Sequence, residues 1–226
     1  MMVYDIINLM KLLLTSAGLA NQSIVDVLLK LTEKPFDQLK VAFIPTASNV
    51  EKGDKGWLIN DLKKLQELKF LSIDIVDISV LPKDIWKKRL EEADVFFVEG
   101  GNTSHLIYWI KKTGLIDLLP ELLKTRIWVG VSAGSSVVTK EISLNDSQML
   151  YREKDDMKNN FGLGYLNFHI RPHLDDEYFP QVTLENIQKI ADKTKETIYA
   201  LDNNSAIQAI DGDISVISEG IWKKFN

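Results

Sequence analysis

The amino-acid sequence predicts a three-layer α/β fold, in which a mostly parallel β-sheet lies between two layers of helices. Short apolar segments of β-type composition alternate with segments of helical periodicity along most of the 226 residues. Segments such as VAFIP at 41–45 and IWVGV at 127–131 are continuously apolar, which is typical of strands that are covered on both faces. Together these observations favour a parallel sheet with helices on both sides.

The apolar segments predict a series of strands, and a β-hairpin follows them. Residues 206–210 and 214–218 flank Asp211-Gly212, a dipeptide that favours positive φ and therefore a tight turn. We expect this hairpin to add antiparallel strands at an edge of the sheet. The predicted strands before it are 11–15, 41–45, 73–78, 94–99, 127–131, 166–170 and 197–201.

Helical periodicity is found between these strands. In residues 57–69, leucines recur at steps of three and four residues and form one apolar face. The other predicted helices are 82–92, 104–113 and 177–195. Residues 139–160 are polar and weakly periodic, and a connection of this length is usually functional, so we expect it to close a substrate cleft.

Composition excludes several classes of protein. Hydrophobic residues make up 45% of the chain and charged residues 26%, which is ordinary for a globular protein. The net charge of −5 disfavours nucleic acid as a partner. No apolar run reaches the roughly 18–20 residues that a membrane span needs. We therefore expect a single cytoplasmic domain over residues 1–226, with 1–9 as a candidate N-terminal extension and no membrane partner.

The chain has no cysteine and only three histidines. Disulfides, thiolate metal sites and a cysteine nucleophile are therefore excluded, and we expect neither a metal nor a cofactor. A hydrolytic nucleophile must come from serine, threonine, lysine, a carboxylate or activated water.

The segment Gly130-Val131-Ser132-Ala133-Gly134 fits the pattern G-x-S-x-G. In this pattern a serine lies on a strained strand-to-helix turn, where a Cβ at either glycine would clash. The apolar segment at 127–131 leads directly into the motif, as a strand should. We interpret Ser132 as a nucleophile, with the N–H of Ala133 directed at the same point. The alternative is a glycine-lined turn with a buried serine.

A second glycine turn occurs at Glu99-Gly100-Gly101-Asn102, after the predicted strand 94–99. Asn102 is a candidate N-cap of the next helix, and exposed N–H groups at such a junction can hold an oxyanion or a carboxylate. Gly100 and Asn102 are therefore candidate substrate-binding residues. Both glycine turns follow parallel strands, so they should face one cleft at the C-terminal edge of the sheet.

A serine nucleophile needs a general base and a group that orients it. We favour His173 as the base, because it follows the strand 166–170 closely enough to reach the cleft. His105 is expected in the first turn of a helix, and His169 within a strand. The residues alone leave the carboxylate open among Glu141, Asp146, Asp155 and Asp175.

Three motifs in this order, GVSAG at 130–134, VEGGNT at 98–103 and GLGYLNFHIRPHLD at 162–175, resemble the dipeptidase E family of serine peptidases. This family includes α-aspartyl dipeptidases and is related to the cyanophycinases. The resemblance covers most of the chain. It implies a flavodoxin-like sheet, similar to that of class I glutamine amidotransferases, and a cytoplasmic enzyme that cleaves short peptides.

The resemblance also implies roles for individual residues. Ser132 is the nucleophile, His173 the base and Asp146 the triad carboxylate, although relatives place a glutamate later in the chain. Gly101 and Ala133 match the oxyanion donors.

One segment departs from the family pattern. The aspartyl dipeptidases carry an arginine after the catalytic histidine, and this chain has none between residues 174 and 190. Arg171 and Arg152 are the nearest candidates to bind a substrate's acidic group. A small peptide is the expected substrate and a homodimer the candidate assembly. The alternatives are an amidase, an esterase, a cyanophycinase-like hydrolase or a non-catalytic binding protein.

Overall fold

The computed structural model describes residues 10–140, 144–152 and 162–226. Within them, seven strands form one sheet of order β3-β2-β4-β5-β1-β8-β9. The first five strands of this order are parallel, and β8 and β9 continue the sheet in antiparallel pairing. The strands are β1 Lys11–Thr15, β2 Lys40–Ile44, β3 Ser72–Ile75, β4 Val95–Val98, β5 Ile127–Val131, β8 Ser205–Ile210 and β9 Asp213–Ser218. The mostly parallel sheet and its antiparallel hairpin are therefore as the sequence predicts.

Helices cover both faces of this sheet. The helices of the described residues are α1 Gln22–Thr32, α2 Thr46–Asn49, α3 Gly56–Glu67, α4 Lys83–Glu92, α5 Thr103–Lys112, α6 Leu119–Leu122, α7 Ala133–Ser136, α8 Leu144–Tyr151 and α9 Leu184–Ala191. Of these, α8 and α9 belong to a separate core cluster. Leu28 of α1 and Leu65 of α3 pack against Phe97, on what we call the α1/α3 face. Leu90 of α4 and Ile107 of α5 lie in the core on the opposite side, the α4/α5 face. Alternation along the strands separates the two faces, since neighbouring side chains point to opposite sides of the sheet.

A second sheet, which the sequence pattern does not predict, lies on the α4/α5 side. It contains β6 Phe168–Arg171, β7 Thr197–Leu201 and β10 Trp222–Phe225, in the order β10-β7-β6. β6 and β7 are parallel and β10 is antiparallel to β7. Alternating apolar residues identify the strands in the sequence, but not the sheet to which each strand belongs.

One predicted helix begins later than expected. The sequence predicts a helix over 177–195, whereas α9 covers only Leu184–Ala191. Thr183 caps it, since its Oγ1 accepts a hydrogen bond from the Asn186 N–H at 3.2 Å. Residues 177–183 are non-helical and carry Phe179 to the site described below.

The predicted loop 139–160 contains α8, the helix Leu144–Tyr151. Residues 141–143 and 153–161 lie outside the described residues, as does the candidate N-terminal extension 1–9. Among the described helices, none combines the length and the apolar character required to cross a bilayer.

Candidate active site

Ser132 lies on a sharp turn between β5 and α7, with φ 49° and ψ −103°. A Cβ on Gly134 would lie 2.0 Å from the carbonyl oxygen of Val98, and a Cβ on Gly130 would lie 2.4 Å from that of Gly134. Both distances are far inside van der Waals contact. Only glycine therefore allows the turn to pack this closely, which is the reason that the motif predicts.

The Gly100–Gly101 turn approaches the serine from the neighbouring strand β4. A Cβ on Gly100 would lie 3.3 Å from the Ser132 Cβ. Gly101 has φ +126°, and a Cβ there would lie 2.4 Å from the carbonyl oxygen of Ala47. The two glycine turns thus lie side by side at the C-terminal edge of the sheet. Ala133 is the first residue of α7, so its N–H has no acceptor within the helix.

His173 meets the serine from the second sheet. Its Nε2 lies 2.8 Å from the Ser132 Oγ. The His173 backbone N–H donates to the Ser16 Oγ at 2.8 Å, which ties this loop to the end of β1. The imidazole stacks on Phe179, with ring centroids 4.5 Å apart and an angle of 20° between the planes. These contacts fix both the position and the plane of the ring.

Asn203, which sequence reasoning did not select, orients the imidazole. Its Oδ1 lies 2.8 Å from the His173 Nδ1, and its Nδ2 donates to the Asp176 carboxylate. A carboxylate can only accept, so Asp176 directs the amide nitrogen to itself and the amide oxygen to the histidine. The amide oxygen then requires a proton on Nδ1, which leaves the lone pair of Nε2 facing Ser132.

The His173 ring is held in its neutral form. Burial lowers the pKa of His173 below its ordinary value of 6.5, while the hydrogen bond that His173 donates to Asn203 and the charge of Asp176 act in the opposite direction. A neutral imidazole at neutral pH is the state in which it can accept the serine proton.

The structure places the predicted triad carboxylate, Asp146, elsewhere. Its Oδ2 lies 3.3 Å from Nη2 of Arg171, on a side chain that is 7% exposed. Arg171, a predicted substrate-binding residue, therefore already has an anionic partner within the protein. The position beside the His173 Nδ1 is taken by the Asn203 amide, since an imidazole nitrogen accommodates one in-plane partner.

The other carboxylate candidates from the sequence are Asp175, Glu141 and Asp155. Asp175 is exposed, and Glu141 and Asp155 lie outside the described residues. The sequence gives only a weak signal for Asn203. This residue lies in a polar tetrapeptide that follows the end of a strand, where many turn residues occur.

The remaining site candidates lie in the following positions. The Asn102 Oδ1 accepts from the His105 N–H at 2.8 Å, so Asn102 is the N-cap of α5, as expected. His169 lies in β6, and its Nε2 pairs with Glu196. Arg152 lies exposed after α8. His173 is the histidine that reaches the cleft.

A serine on a strained strand-to-helix turn, with a neutral imidazole on its hydroxyl, is the arrangement of a serine hydrolase. The chain belongs to peptidase family S51, whose family model matches residues 12–217. This finding confirms the resemblance to the dipeptidase E family, and the protein is a peptidase of a serine hydrolase family.

Individual relatives and one solved structure are similar to this chain. An uncharacterised peptidase of Listeria innocua is 30% identical over 77% of this chain and 82% of its own length. A probable alpha-aspartyl dipeptidase of Drosophila melanogaster is 36% identical over 40% of this chain and 38% of its own length. A crystal structure of a candidate Peptidase E protein from Listeria monocytogenes EGD-e superposes with a TM-score of 0.78 at 24% identity, covering 93% of this chain and 99% of that one.

Proposed function

We propose that this protein is a serine peptidase that hydrolyses short peptides through an acyl-enzyme on Ser132. The observation that carries the proposal is the 2.8 Å approach of the His173 Nε2 to the Ser132 Oγ. This distance lies within the range over which a general base removes a proton. Ser132, His173 and Asn203 form the proposed triad, and Asp176 is a positioning residue that acts through Asn203.

In the first half of the reaction, the Ser132 Oγ attacks the carbonyl carbon of the substrate while Nε2 of His173 takes its proton. The backbone N–H groups of Gly101 and Ala133 are the proposed donors to the oxyanion. One such donor contributes about 10²–10³ in rate, because it is already oriented when the charge develops. His173 then gives the proton to the leaving amine, and the carbon–nitrogen bond breaks.

In the second half, water attacks the acyl-enzyme. His173 removes a proton from the water, the tetrahedral intermediate collapses, and the proton returns to the Ser132 Oγ. Asn203 carries no charge, so the imidazolium that forms twice in the cycle is stabilised by the Asp176 carboxylate behind it.

The test combines labelling with kinetics. A fluorophosphonate reacts only with an activated serine, so we expect the wild-type protein to be labelled at Ser132. Ser132→Ala and His173→Ala should each lose labelling and hydrolysis of dipeptides, by about 10⁴-fold or more. Ser215→Ala, in an exposed position of β9, is the matched control and should behave as wild type.

Two results would contradict the proposal. An unlabelled Ser132 in folded protein favours a non-catalytic binding protein. Labelling without cleavage of any dipeptide, but with cleavage of esters or simple amides, favours an esterase or amidase on the same site.

A further inference from the structure

Two carboxyl groups that the proposed mechanism does not use lie beside the Gly100–Gly101 turn. Glu99 follows β4 directly, and its side chain is 0% exposed. Residues of β4 alternate between the two faces, so Glu99 lies on the α1/α3 side with Phe97. Asp61 reaches Glu99 from α3, the helix that covers this side of the sheet.

The bonding of Glu99 is incomplete. Its Oε1 accepts a hydrogen bond from the Gly100 N–H at 2.8 Å. Its Oε2 is buried and accepts no hydrogen bond from an N–H or hydroxyl group within the described residues. The Glu99 carboxyl group instead shares a hydrogen bond with the carboxyl group of Asp61. No lysine or arginine of residues 10–140, 144–152 or 162–226 forms an ion pair with Asp61 or Glu99. Buried carboxylates are normally paired with a cation, and this pair has none of its own in the described part of the chain.

Without a cation, burial favours the protonated forms of both carboxyl groups. Burial raises the pKa of Asp61 to about 7. Burial and the neighbouring Asp61 charge raise the pKa of Glu99 well above its ordinary value. A positively charged group that reaches the pair would favour the ionised carboxylates, because it supplies the charge that the surrounding protein lacks.

The pair lies close to the nucleophile. A Cβ on Gly100 would lie 3.3 Å from the Ser132 Cβ and 3.9 Å from Cζ3 of Trp57. Trp57 and Asp61 are one turn apart on α3, so they share a face of that helix. A Cβ on Gly18 would lie 2.3 Å from the Asp61 Oδ1, so the glycine after β1 leaves room for the carboxyl group. Asp61 is half-buried, so this member of the pair is still partly exposed to solvent.

The direction of the substrate follows from the position of His173. This base comes from the second sheet, whose Ile170 packs on the α4/α5 side. The leaving amine must lie next to the His173 Nε2, which protonates it. A residue that acylates Ser132 and extends away from His173, towards the α1/α3 side, would meet the acidic pair.

We propose, on the basis of the function proposed above, that Asp61 and Glu99 form a subsite for a positively charged group on the residue whose carbonyl carbon Ser132 attacks. The chemical class is a primary ammonium or a guanidinium. Two sources have this chemistry, the α-ammonium of an amino-terminal residue and a lysine or arginine side chain. On binding, a proton held by the pair passes to solvent, and no covalent bond forms. The same subsite disfavours an acidic side chain.

The experiment compares dipeptides that differ in charge. The substrates are Lys-Leu, norleucyl-Leu and Asp-Leu, each with a free and with an acetylated amino terminus. If the α-ammonium is recognised, acetylation lowers kcat/KM for every peptide by about 30-fold or more. If a side chain is recognised, kcat/KM for Lys-Leu exceeds kcat/KM for norleucyl-Leu by a similar factor. Acetylation of both peptides then leaves this difference unchanged. In both cases Asp-Leu is a poorer substrate than norleucyl-Leu.

Variants locate the effect. Asp61→Asn and Glu99→Gln should each abolish most of the preference for the cationic peptide, mainly by raising its KM. For acetyl-norleucyl-Leu, which carries no cation, kcat/KM should change less than about threefold. Glu67→Gln, at the exposed end of the same helix, is the matched control and should retain the preference. Circular dichroism verifies folding, and Asp61→Asn is decisive if Glu99→Gln does not fold.

The outcomes separate this inference from the proposed function. Cleavage that depends on Ser132 but shows no preference for a cation overturns the subsite and leaves the peptidase intact. If no peptide is cleaved, calorimetry on Ser132→Ala measures peptide binding directly. Equal binding of Lys-Leu, norleucyl-Leu and their acetylated forms then overturns the subsite, whereas a preference for the cation that is lost in Asp61→Asn supports it.

Discussion

The two halves of the site are held in place by different means. The nucleophile half, Ser132 with the Gly100–Gly101 turn, depends on backbone packing in which a Cβ would overlap a neighbouring carbonyl. The base half depends on side chains: His173 bonds to Asn203, and Asn203 bonds to Asp176. Backbone packing leaves a local sequence pattern of glycines. A network of side chains from separate loops leaves none, because each member is an ordinary turn residue where it occurs.

This difference predicts that the nucleophile half tolerates substitution least. In Gly134→Ala, the new Cβ would lie 2.0 Å from the Val98 carbonyl oxygen, which a backbone atom cannot avoid by a rotamer change. We expect a loss of about 3 kcal/mol or more in the free energy of unfolding and the loss of most activity. Urea denaturation measures the change in the free energy of unfolding, and dipeptide hydrolysis measures the change in activity.

Gly53→Ala is the control that distinguishes the effect of steric crowding, expected in Gly134→Ala, from the effect of backbone strain. Gly53, unlike Gly134, has positive φ, at +97°, and nothing lies within 4 Å of its added Cβ. Gly53→Ala should therefore lower the free energy of unfolding by only about 1 kcal/mol, because of backbone strain alone, and activity should be retained. Equal effects of the two substitutions would contradict the packing argument.

Asn203 should have the next largest effect. Asn203→Ala removes the acceptor of the Nδ1 proton, and we expect kcat to fall by about 10²–10³-fold. Asn203→Asp should retain far more activity, since a carboxylate oxygen also accepts this proton. Its negative charge stabilises the imidazolium, so the acid limb of the kcat/KM profile should move to higher pH. Equal losses in both variants would show that Asn203 does not orient the base.

The pH profile of the wild-type enzyme reports the state of His173. Because burial lowers the pKa of this histidine, the fall in kcat/KM on acidification should have its midpoint below pH 6.5. Asp176→Asn removes a charge that raises this pKa, so the midpoint should move to still lower pH, with kcat reduced about tenfold. A profile whose midpoint is the same in wild type and variant would contradict the role of Asp176.

Phe179 should have the smallest effect. Its ring stacks on His173 and also makes an edge contact with Tyr151, at 5.7 Å between centroids. Phe179→Leu removes the stacking but keeps an apolar side chain, and we expect kcat to fall about threefold to tenfold with little change in KM. Tyr178→Leu, at an exposed neighbouring position, is the control. A change in KM alone would place Phe179 in substrate binding instead.

The sequence identified the main sheet because its signals are local. The strand β5 is predicted at its observed bounds, and the predicted helix 57–69 corresponds to α3. Ser132 can be identified from the sequence for the same reason, because its strand, both glycines and the following helix are contiguous in the chain. The helix predicted from residue 177 begins only at 184, because residues 177–183 form turns in which Phe179 stacks on His173.

What the sequence by itself determined is the α/β class, the nucleophile elbow and the three histidines from which the base had to come. Only the tertiary structure decided that Asn203 and not Asp146 lies on His173, and that Asp61 meets Glu99 across the α1/α3 face. These partners are 30 and 38 positions apart in the chain. Contacts over such separations depend on how the second sheet and α3 dock on the main sheet, and no periodicity or local motif encodes that docking.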